Sequence, residues 1–319
     1  MYKNKQTTLT VLMLGGARRV SMAELLKRSG ERLGYEIKIV SYELDDRVPI
    51  AKVGKVVKGL LWSDPGVVDD ILRVVIEYEA KIILPFIDGS ISVAARCKER
   101  MPDLFVPVSD PDTATLMFDK KLAAEAFSEA EIPIPTTYKI IDAEMPVIAK
   151  PRFGSASRGI HIFHDIEDLM HLKDISEYLL QAYIEDKKEY TVDCYVSQKG
   201  EILVSVPRER LEIMGGEVTR TITTRVKELE DMSRDIIRKF ELRGPVTLQF
   251  LYDIARNRFL LMEVNPRLGG GVICSIYAGA PIPDYILSEA LGIPVRPCDD
   301  WIDKTLMARY QKETIFFGR

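Results

Sequence analysis

The sequence predicts a two-part chain, an α/β region built on a parallel sheet followed by an α+β region with antiparallel sheets. Three observations predict it. Residues 1 to about 112 alternate strand-length apolar runs with helical patterns, the βαβ rhythm of a parallel sheet covered by helices. Residues 246–264 instead hold two β-rich apolar runs separated only by Asp253 to Arg258, which is a hairpin signal and therefore an antiparallel pair. At 319 residues the chain is long enough for two or three modules with cores of their own, and neither an internal repeat nor a low-complexity linker interrupts it.

Thr8 to Leu14 is a buried-strand run that ends in Gly15-Gly16-Ala17-Arg18-Arg19, and a helical pattern covers Ser21 to Leu33. Ile37 to Tyr42 follows as a strand, Asp69 to Tyr78 as a helix, Ile82 to Phe86 as a third strand and Phe105 to Val108 as a short fourth. A glycine pair after a strand falls short of the dinucleotide-binding fingerprint and is weak evidence for a nucleotide there. Asp88 and Ser90 precede the helical run Ile91 to Arg96, where capping the helix is the plain alternative to contacting a ligand.

In the second part, Asp119-Lys120-Lys121 opens a helix that leads to Ile-Pro-Ile-Pro. The strand Pro-Val-Ile-Ala-Lys150 runs into a turn rich in glycine and serine, from Arg152 through Gly154, Ser155 and Gly159 to Ile162. Small residues let backbone N–H groups approach phosphate oxygens, although such a turn taken alone is more often a plain hairpin. Leu179-Leu-Gln181-Ala182-Tyr183-Ile184 is an aromatic and aliphatic strand, followed by Glu189 to Asp193. From Pro207 to Arg225 the chain is polar and cationic; Arg210 and Arg220 could clamp an anion bidentately or belong to a solvated strand-loop-strand. Met232 to Phe240 is helical, and Gly244-Pro245 ends that pattern. On the hairpin that follows, Gln249 on one strand and Glu263 and Asn265 on the other project from one face, because side chains alternate with period two. Three oxygen-bearing side chains suit Mg²⁺, a hard cation usually held by one or two carboxylates plus substrate phosphates. Arg267 adds a planar fork suited to phosphate. Residues 272–287 then resemble a closing helix, and Thr305 to Tyr310 predicts a final strand.

The run Glu263-Val-Asn265-Pro-Arg267-Leu-Gly-Gly-Gly strongly resembles the signature of the ATP-grasp superfamily, and the upstream lysines, glycine-rich turn and apolar strand follow in that family's order. The likeness is greatest to the carbamoyl-phosphate-synthetase large-chain branch and related carboxylate-amine ligases, which also use Gln at the position of Gln249. The resemblance implies a Rossmann-like pre-ATP-grasp domain over residues 1–112 and a single two-lobed ATP-grasp domain over residues 113–319. Within the latter it implies an N-lobe with the glycine-rich lid (113–184), a C-lobe with the metal site (185–300) and a tail (301–319). It further implies ATP held by Lys120 (with Lys121 as competitor), Lys150, Gly154, Ser155, Gln181, Ala182, Tyr183, Ile184 and Glu189. One or two Mg²⁺ ions, with Mn²⁺ as the alternative, would sit on Gln249, Glu263 and Asn265. Arg267, Lys150 and Arg220 would act on the transferred phosphoryl group. Gly15, Arg18, Asp88 and Ser90 are the implied contacts to the acceptor substrate.

The activity so implied is ATP-dependent joining of a small-molecule carboxylate to an amine through an acyl phosphate, giving ADP, phosphate and an amide or peptide bond. Two alternatives stand beside it: a carbamoyl-phosphate-synthetase-like subunit that phosphorylates bicarbonate or carbamate, and an ATP-binding sensor or scaffold without catalysis. A formal net charge of −4 and the lack of a basic run argue against nucleic acid. The longest apolar stretches are strand-length and the first residues lack a signal-peptide core, so neither a membrane nor export is expected and the cytoplasm is the default. The four cysteines are widely spaced, which favours reduced thiols, and His161, His164 and His171 fall across a hairpin and a helix rather than in a metal-binding spacing. The sequence leaves the oligomeric state open, with a homodimer possible by analogy with many relatives.

Overall fold

The computed structural model describes residues 7–154 and 158–318. Strand β1 (Thr7–Leu14), helix α1 (Val20–Leu33), β2 (Tyr35–Glu43), β3 (Lys55–Lys58), α2 (Val67–Glu77), β4 (Ala80–Pro85) and α3 (Asp88–Arg100) form the first layer system. Its four-stranded sheet has the order β3-β2-β1-β4, with every pairing parallel. Apolar residues run continuously along β1 because both faces of the sheet are covered. Val11 and Met13 pack with Met22 and Leu26 of α1, while Leu12 and Leu14 pack with Ile71 and Val75 of α2 and Ile91 of α3.

Two details depart from expectation. The strand expected at Phe105 to Val108 is reduced to one parallel bridge between Ile82 and Phe105, because Pro107 has no N–H with which to extend the ladder. Conversely, β3 was not predicted; its two valines are only half buried between exposed lysines, a weak apolar signal for a sheet edge.

Helices α4 (Pro111–Phe118) and α5 (Lys120–Glu129) lead into the second part. Asp119 caps α5 by accepting from the N–H groups of Lys121 and Leu122. Strands β5 (Thr137–Tyr138), β6 (Val147–Pro151) and β7 (His161–Phe163), helix α6 (Ile166–Met170) and β8 (Tyr178–Ala182) follow, making an antiparallel sheet of order β5-β8-β6-β7. Then come β9 (Lys187–Val196), β10 (Ile202–Met214), β11 (Glu217–Thr223), α7 (Lys227–Lys239), β12 (Gly244–Asp253), β13 (Arg258–Asn265), α8 (Val272–Tyr277), α9 (Ile282–Ala290) and β14 (Leu306–Ala308). These strands make a six-stranded antiparallel sheet of order β13-β12-β9-β10-β11-β14. The final strand is therefore present, shorter than Thr305 to Tyr310, at the edge beside β11.

The core of the first sheet does not stop at the start of α4. Leu203, Val206, Val272, Ile282 and Ile286 belong to the same apolar cluster as Val11 and Leu26. Helix α1 is also fastened to α9, where Ser29 Oγ and Arg32 Nη2 donate to Asp284 Oδ1 at 2.7 and 2.8 Å. That shared core fixes the carboxyl ends of the parallel strands against the larger antiparallel sheet. No helix among the described residues is long and apolar enough to cross a membrane.

Candidate active site

A cavity of about 530 Å³ opens between the two antiparallel sheets and reaches the loops that end β1 and β4. Its floor is the expected hairpin. Gln249 and Glu263 stand directly opposite each other on β12 and β13, and Asn265 opposes Thr247 two pairs further along. The residue count slips by one between Gln249 and Phe250, a bulge that leaves Met262 without a partner. Both amide oxygens are already engaged by arginines. Arg210 Nη1 donates to Gln249 Oε1 at 2.9 Å and also to Glu189 Oε2 at 2.9 Å, while Arg267 Nη2 donates to Asn265 Oδ1 at 3.1 Å. Asn265 Nδ2 is buried and has no hydrogen-bond partner, and Asn265 lines not this cavity but a small neighbouring pocket shared with Asp88, Lys120 and Glu263.

At the other wall, Lys150 ends β6 with its ammonium buried, donating from Nζ to Gln181 Oε1 at 2.9 Å. Burial pulls its pKa down to about 8, against the attraction of Glu263, which pushes it up. Gln181 thus positions the lysine. Lys120 is separated from its neighbour by direction. Its Nζ donates to the carbonyl of Gly154 at 2.6 Å at the cavity wall, whereas Lys121 Nζ is tied to the carbonyl of Ser176 at 3.0 Å away from it. Gly154 lines the cavity with φ +115°, and Ser155 lies outside the described residues. Tyr183 and Ile184, on the segment that joins β8 to β9, line the cavity. The N–H of Ala182 is committed to the Thr136 carbonyl at 2.8 Å, and the Ile184 carbonyl accepts from Lys187 Nζ at 2.8 Å. The free hydrogen-bonding edges are accordingly narrower than expected: the Ala182 carbonyl and the Ile184 N–H.

Four expected contacts are corrected. Arg220 does not join the cavity: its side chain is 47% exposed and paired with Glu212 at 3.1 Å. Register shifts around Glu212 on β10 break the alternation that would have put Arg210 and Arg220 side by side, so Arg210 alone turns inward. Ser90 is fully buried, with its hydroxyl donating to the Ile87 carbonyl at 2.7 Å inside α3, and is structural. Arg18 is exposed outside the cavity; its neighbour Arg19 enters it instead. Gly15 serves the fold, since a Cβ there would stand 2.7 Å from Ile87 Cγ1. Asp88 does reach the site, but as the partner of Arg267, whose Nε donates to Asp88 Oδ1 at 2.5 Å across the boundary between the first sheet and the hairpin.

Sequence reasoning also missed a buried layer beneath the glycine run. Arg208 is buried, donates from Nε to Asp193 Oδ2 at 2.7 Å and from Nη1 to Thr221 Oγ1 at 3.0 Å, and Ser275 Oγ donates to the same aspartate at 2.6 Å. Gly271 lies on it closely; a Cβ there would be 2.7 Å from Arg208 Nη1. Lys187, over the Tyr183 ring at 4.3 Å, was missed as well.

The sequence family described as "ATP-grasp in the biosynthetic pathway with Ter operon" matches residues 174–313. Among solved structures, the biotin carboxylase domain of Hydrogenobacter thermophilus 2-oxoglutarate carboxylase, in complex with MgADP and bicarbonate, superimposes with a TM-score of 0.74. The two are 18% identical, and the match covers 93% of this chain and 73% of that one. N5-carboxyaminoimidazole synthetase from Staphylococcus aureus, complexed with ADP, matches with the same TM-score and identity over 92% and 80% of the two chains. The chain has an ATP-grasp fold with a single grasp unit. The C-terminal section of the carbamoyl phosphate synthase large chain of Methanopyrus kandleri is 23% identical over 261 residues, and the match spans 74% of this chain but 46% of that protein. In ATP-grasp terms, the smaller sheet is the N-lobe and the six-stranded sheet the C-lobe.

The donor set of the grasp site fits a hard cation only in company. Among the described residues no group of three or more His, Cys, Asp and Glu side chains could hold a metal ion. Glu263 is the one carboxylate of the expected trio, and the other two members are amide oxygens with arginine donors already on them. Such a set suits Mg²⁺ when phosphate oxygens complete the shell. The three histidines are dispersed: His161 stacks on Phe163, His164 lies 3.9 Å from Glu185, and His171 is tied to the Glu167 carbonyl at 2.7 Å. All four cysteines are free thiols.

Proposed function

We propose that the chain is an ATP-dependent carboxylate-amine ligase acting through an acyl phosphate. The observation that carries this reading is convergence: Lys120, Lys150, Glu263, Gln249 and Arg267 line one cavity, and that cavity continues to Arg19 and Asp88 of the first domain. A nucleotide site that stopped at the phosphates would not need the extension.

The adenine would lie between the lobes against Tyr183 and Ile184, its edge read by the Ala182 carbonyl and the Ile184 N–H. Glu189, on the same wall, is placed for the ribose hydroxyls once Arg210 releases it. Lys120 and Lys150 neutralise phosphate charge, and the arriving phosphates offset the burial that lowers the Lys150 pKa, so that its ammonium is held charged beside them. Mg²⁺ would be held by Glu263, Gln249 and Asn265 and would polarise the terminal phosphoryl group. A carboxylate oxygen of the acceptor attacks the γ-phosphorus and ADP leaves; the amine nitrogen then attacks the acyl carbon, phosphate leaves, and the amine loses a proton. Phosphoryl transfer of this kind needs positioning and charge neutralisation more than covalent help. Arg267, clamped by Asp88, is the side chain best suited to hold the acceptor carboxylate in line. The glycine-rich turn beyond β6 would exclude water from the acyl phosphate.

The test is ADP and phosphate release from Mg·ATP across a panel of amino acids, dipeptides, bicarbonate and ammonia, with Glu263→Ala as control. Turnover that needs both an acid and an amine and disappears in the variant is expected. The similarity to a carbamoyl phosphate synthase chain favours one rival, and turnover with bicarbonate and no amine would establish it instead. Tight ATP binding with no turnover across the panel would contradict both and leave a sensor or scaffold.

A further inference from the structure

At the end of the cavity away from the lysines, one carboxylate lies between two arginines. Glu217, the first residue of β11, accepts from Arg309 Nη1 at 2.5 Å and stands 3.5 Å from Arg19 Nη2. The two contacts are unequal. Arg309 directly follows β14, the edge strand of the six-stranded sheet, its N–H donating to the Thr219 carbonyl at 2.8 Å and its Nη2 to the Gly270 carbonyl at 2.6 Å, and it is not part of the cavity lining. Arg19 faces the cavity with only that loose ion pair, and burial outweighs the pull of Glu217 to push its guanidinium below its ordinary value. The charge on Arg19 is undercompensated.

Its position is nonetheless fixed. The Arg19 N–H donates to the Gly16 carbonyl at 2.7 Å. The same loop is drawn onto the buried carboxyl of Glu43, which accepts from Ser41 Oγ at 2.6 Å and from the N–H groups of Gly16 and Ala17. The space in front of Arg19 is the cavity itself, which Glu217, Gly269 and Gly270 line beside it. Gly270 packs closely on this group: a Cβ there would come within 3.1 Å of Arg19 Nη1, a crowded contact, and stand 3.6 Å from Glu217 Oε2 and 3.7 Å from Arg309 Nη2. Arg267, also nearby, has its own carboxylate in Asp88. Glu217 itself sits at the end of the β10–β11 hairpin, paired with Met214 across a turn formed by Gly215 and Gly216, both at positive φ.

We infer that this end of the cavity is a subsite for a second acidic group on the acceptor: the group pairs with Arg19 in place of Glu217, which withdraws onto Arg309. The inference rests on the ligase reading, and it narrows the acceptor to a small acid that carries another carboxylate, phosphonate or phosphate. Glu217 then serves as a place-holder whose release is made easy by a waiting partner. The device predicts that a residue outside the cavity, Arg309, governs acceptor affinity. Burying an unpaired guanidinium is costly, which is why the place-holder is present before the acceptor arrives.

The test is calorimetric binding of propionate, succinate and 3-phosphonopropionate, which share a chain and differ in the second group, to the protein saturated with Mg·AMP-PNP. Succinate or the phosphonate should bind at least tenfold more tightly than propionate, and Arg19→Gln should abolish the difference. Glu217→Gln, which removes the competing charge, should tighten the dianion several-fold. Arg309→Gln should weaken it, because Glu217 then collapses onto Arg19, and the double variant E217Q/R309Q should return to the affinity of Glu217→Gln alone. Equal affinity for all three acids, or an Arg309→Gln variant indistinguishable from the parent, would overturn the subsite. Failure of Mg·AMP-PNP to bind at all would instead bring down the ligase reading beneath it.

Discussion

Replacing Lys150 by Met should stabilise the nucleotide-free protein near neutral pH while destroying its hold on nucleotide. Burial lowers the Lys150 pKa from 10.5 to about 8, and the 2.5-unit difference corresponds to roughly 3 kcal/mol. The sign follows from the order of deprotonation. Below about pH 8 the ammonium is charged in both folded and unfolded chains, and the folded state carries the whole cost. As pH rises from 8 towards 10.5 the folded protein loses the proton first, and the cost fades. At pH 7 the penalty is therefore roughly 3 kcal/mol, and at pH 9.5 roughly 1 kcal/mol. Against it stands the hydrogen bond to Gln181, whose loss leaves a buried amide oxygen unpaired at a cost of about 1–3 kcal/mol. Lys150→Met should thus be neutral to more stable by about 2 kcal/mol at pH 7 and less stable than the parent at pH 9.5. Urea unfolding of both proteins at the two pH values, without nucleotide, measures the difference, and other titrating groups cancel in the comparison. A variant that is less stable by the same amount at both pH values would refute the reasoning. In the parent, binding of Mg·AMP-PNP near pH 8.5 should take up protons, seen as a dependence of the binding heat on buffer ionisation.

Arg220→Ala should leave ATP-dependent turnover within about twofold of the parent and stability within about 0.5 kcal/mol, because the side chain is exposed and its pair with Glu212 is a surface one. A large loss of turnover would restore the role that the register denies it. Gly271→Ala should destabilise by about 1–3 kcal/mol in denaturant unfolding, because the new methyl meets Arg208 and Val218 under 3 Å away in a layer already filled. Mg²⁺ titrated into the nucleotide-free protein should give no saturable millimolar binding, since Glu263 is the one carboxylate of the set; tight binding without nucleotide would point to ligands outside the trio.

Much of the fold was legible because its signals are periodic. The continuous apolar runs of β1 and β4 required a sheet covered on both faces, and period two put Glu263 and Asn265 on one face; that Gln249 joins them is settled by the register, which sets it opposite Glu263. The losses occurred where one residue of slippage decides direction. Arg18 and Arg19 are equivalent in composition, and Arg19 is turned inward by a loop that Glu43, more than twenty residues downstream, pulls into shape. Arg210 and Arg220 were equally plausible until the irregular register around Glu212 separated them. Arg309 gave no signal because its importance lies in where a three-residue strand docks, a tertiary event that local pattern does not encode. The tie between Asp88 and Arg267 spans 179 positions and joins two regions that each looked complete alone.

The most direct test of the ligase account is isotope transfer. The acid that supports turnover is supplied with ¹⁸O in its carboxylate, together with Mg·ATP and the amine, and the released phosphate is analysed by mass. An acyl phosphate intermediate predicts one ¹⁸O per phosphate, carried over from the carboxylate when the amine displaces it. Phosphate released without label, at the same rate of ADP formation, would mean that water attacks the nucleotide and that the carboxylate is never phosphorylated.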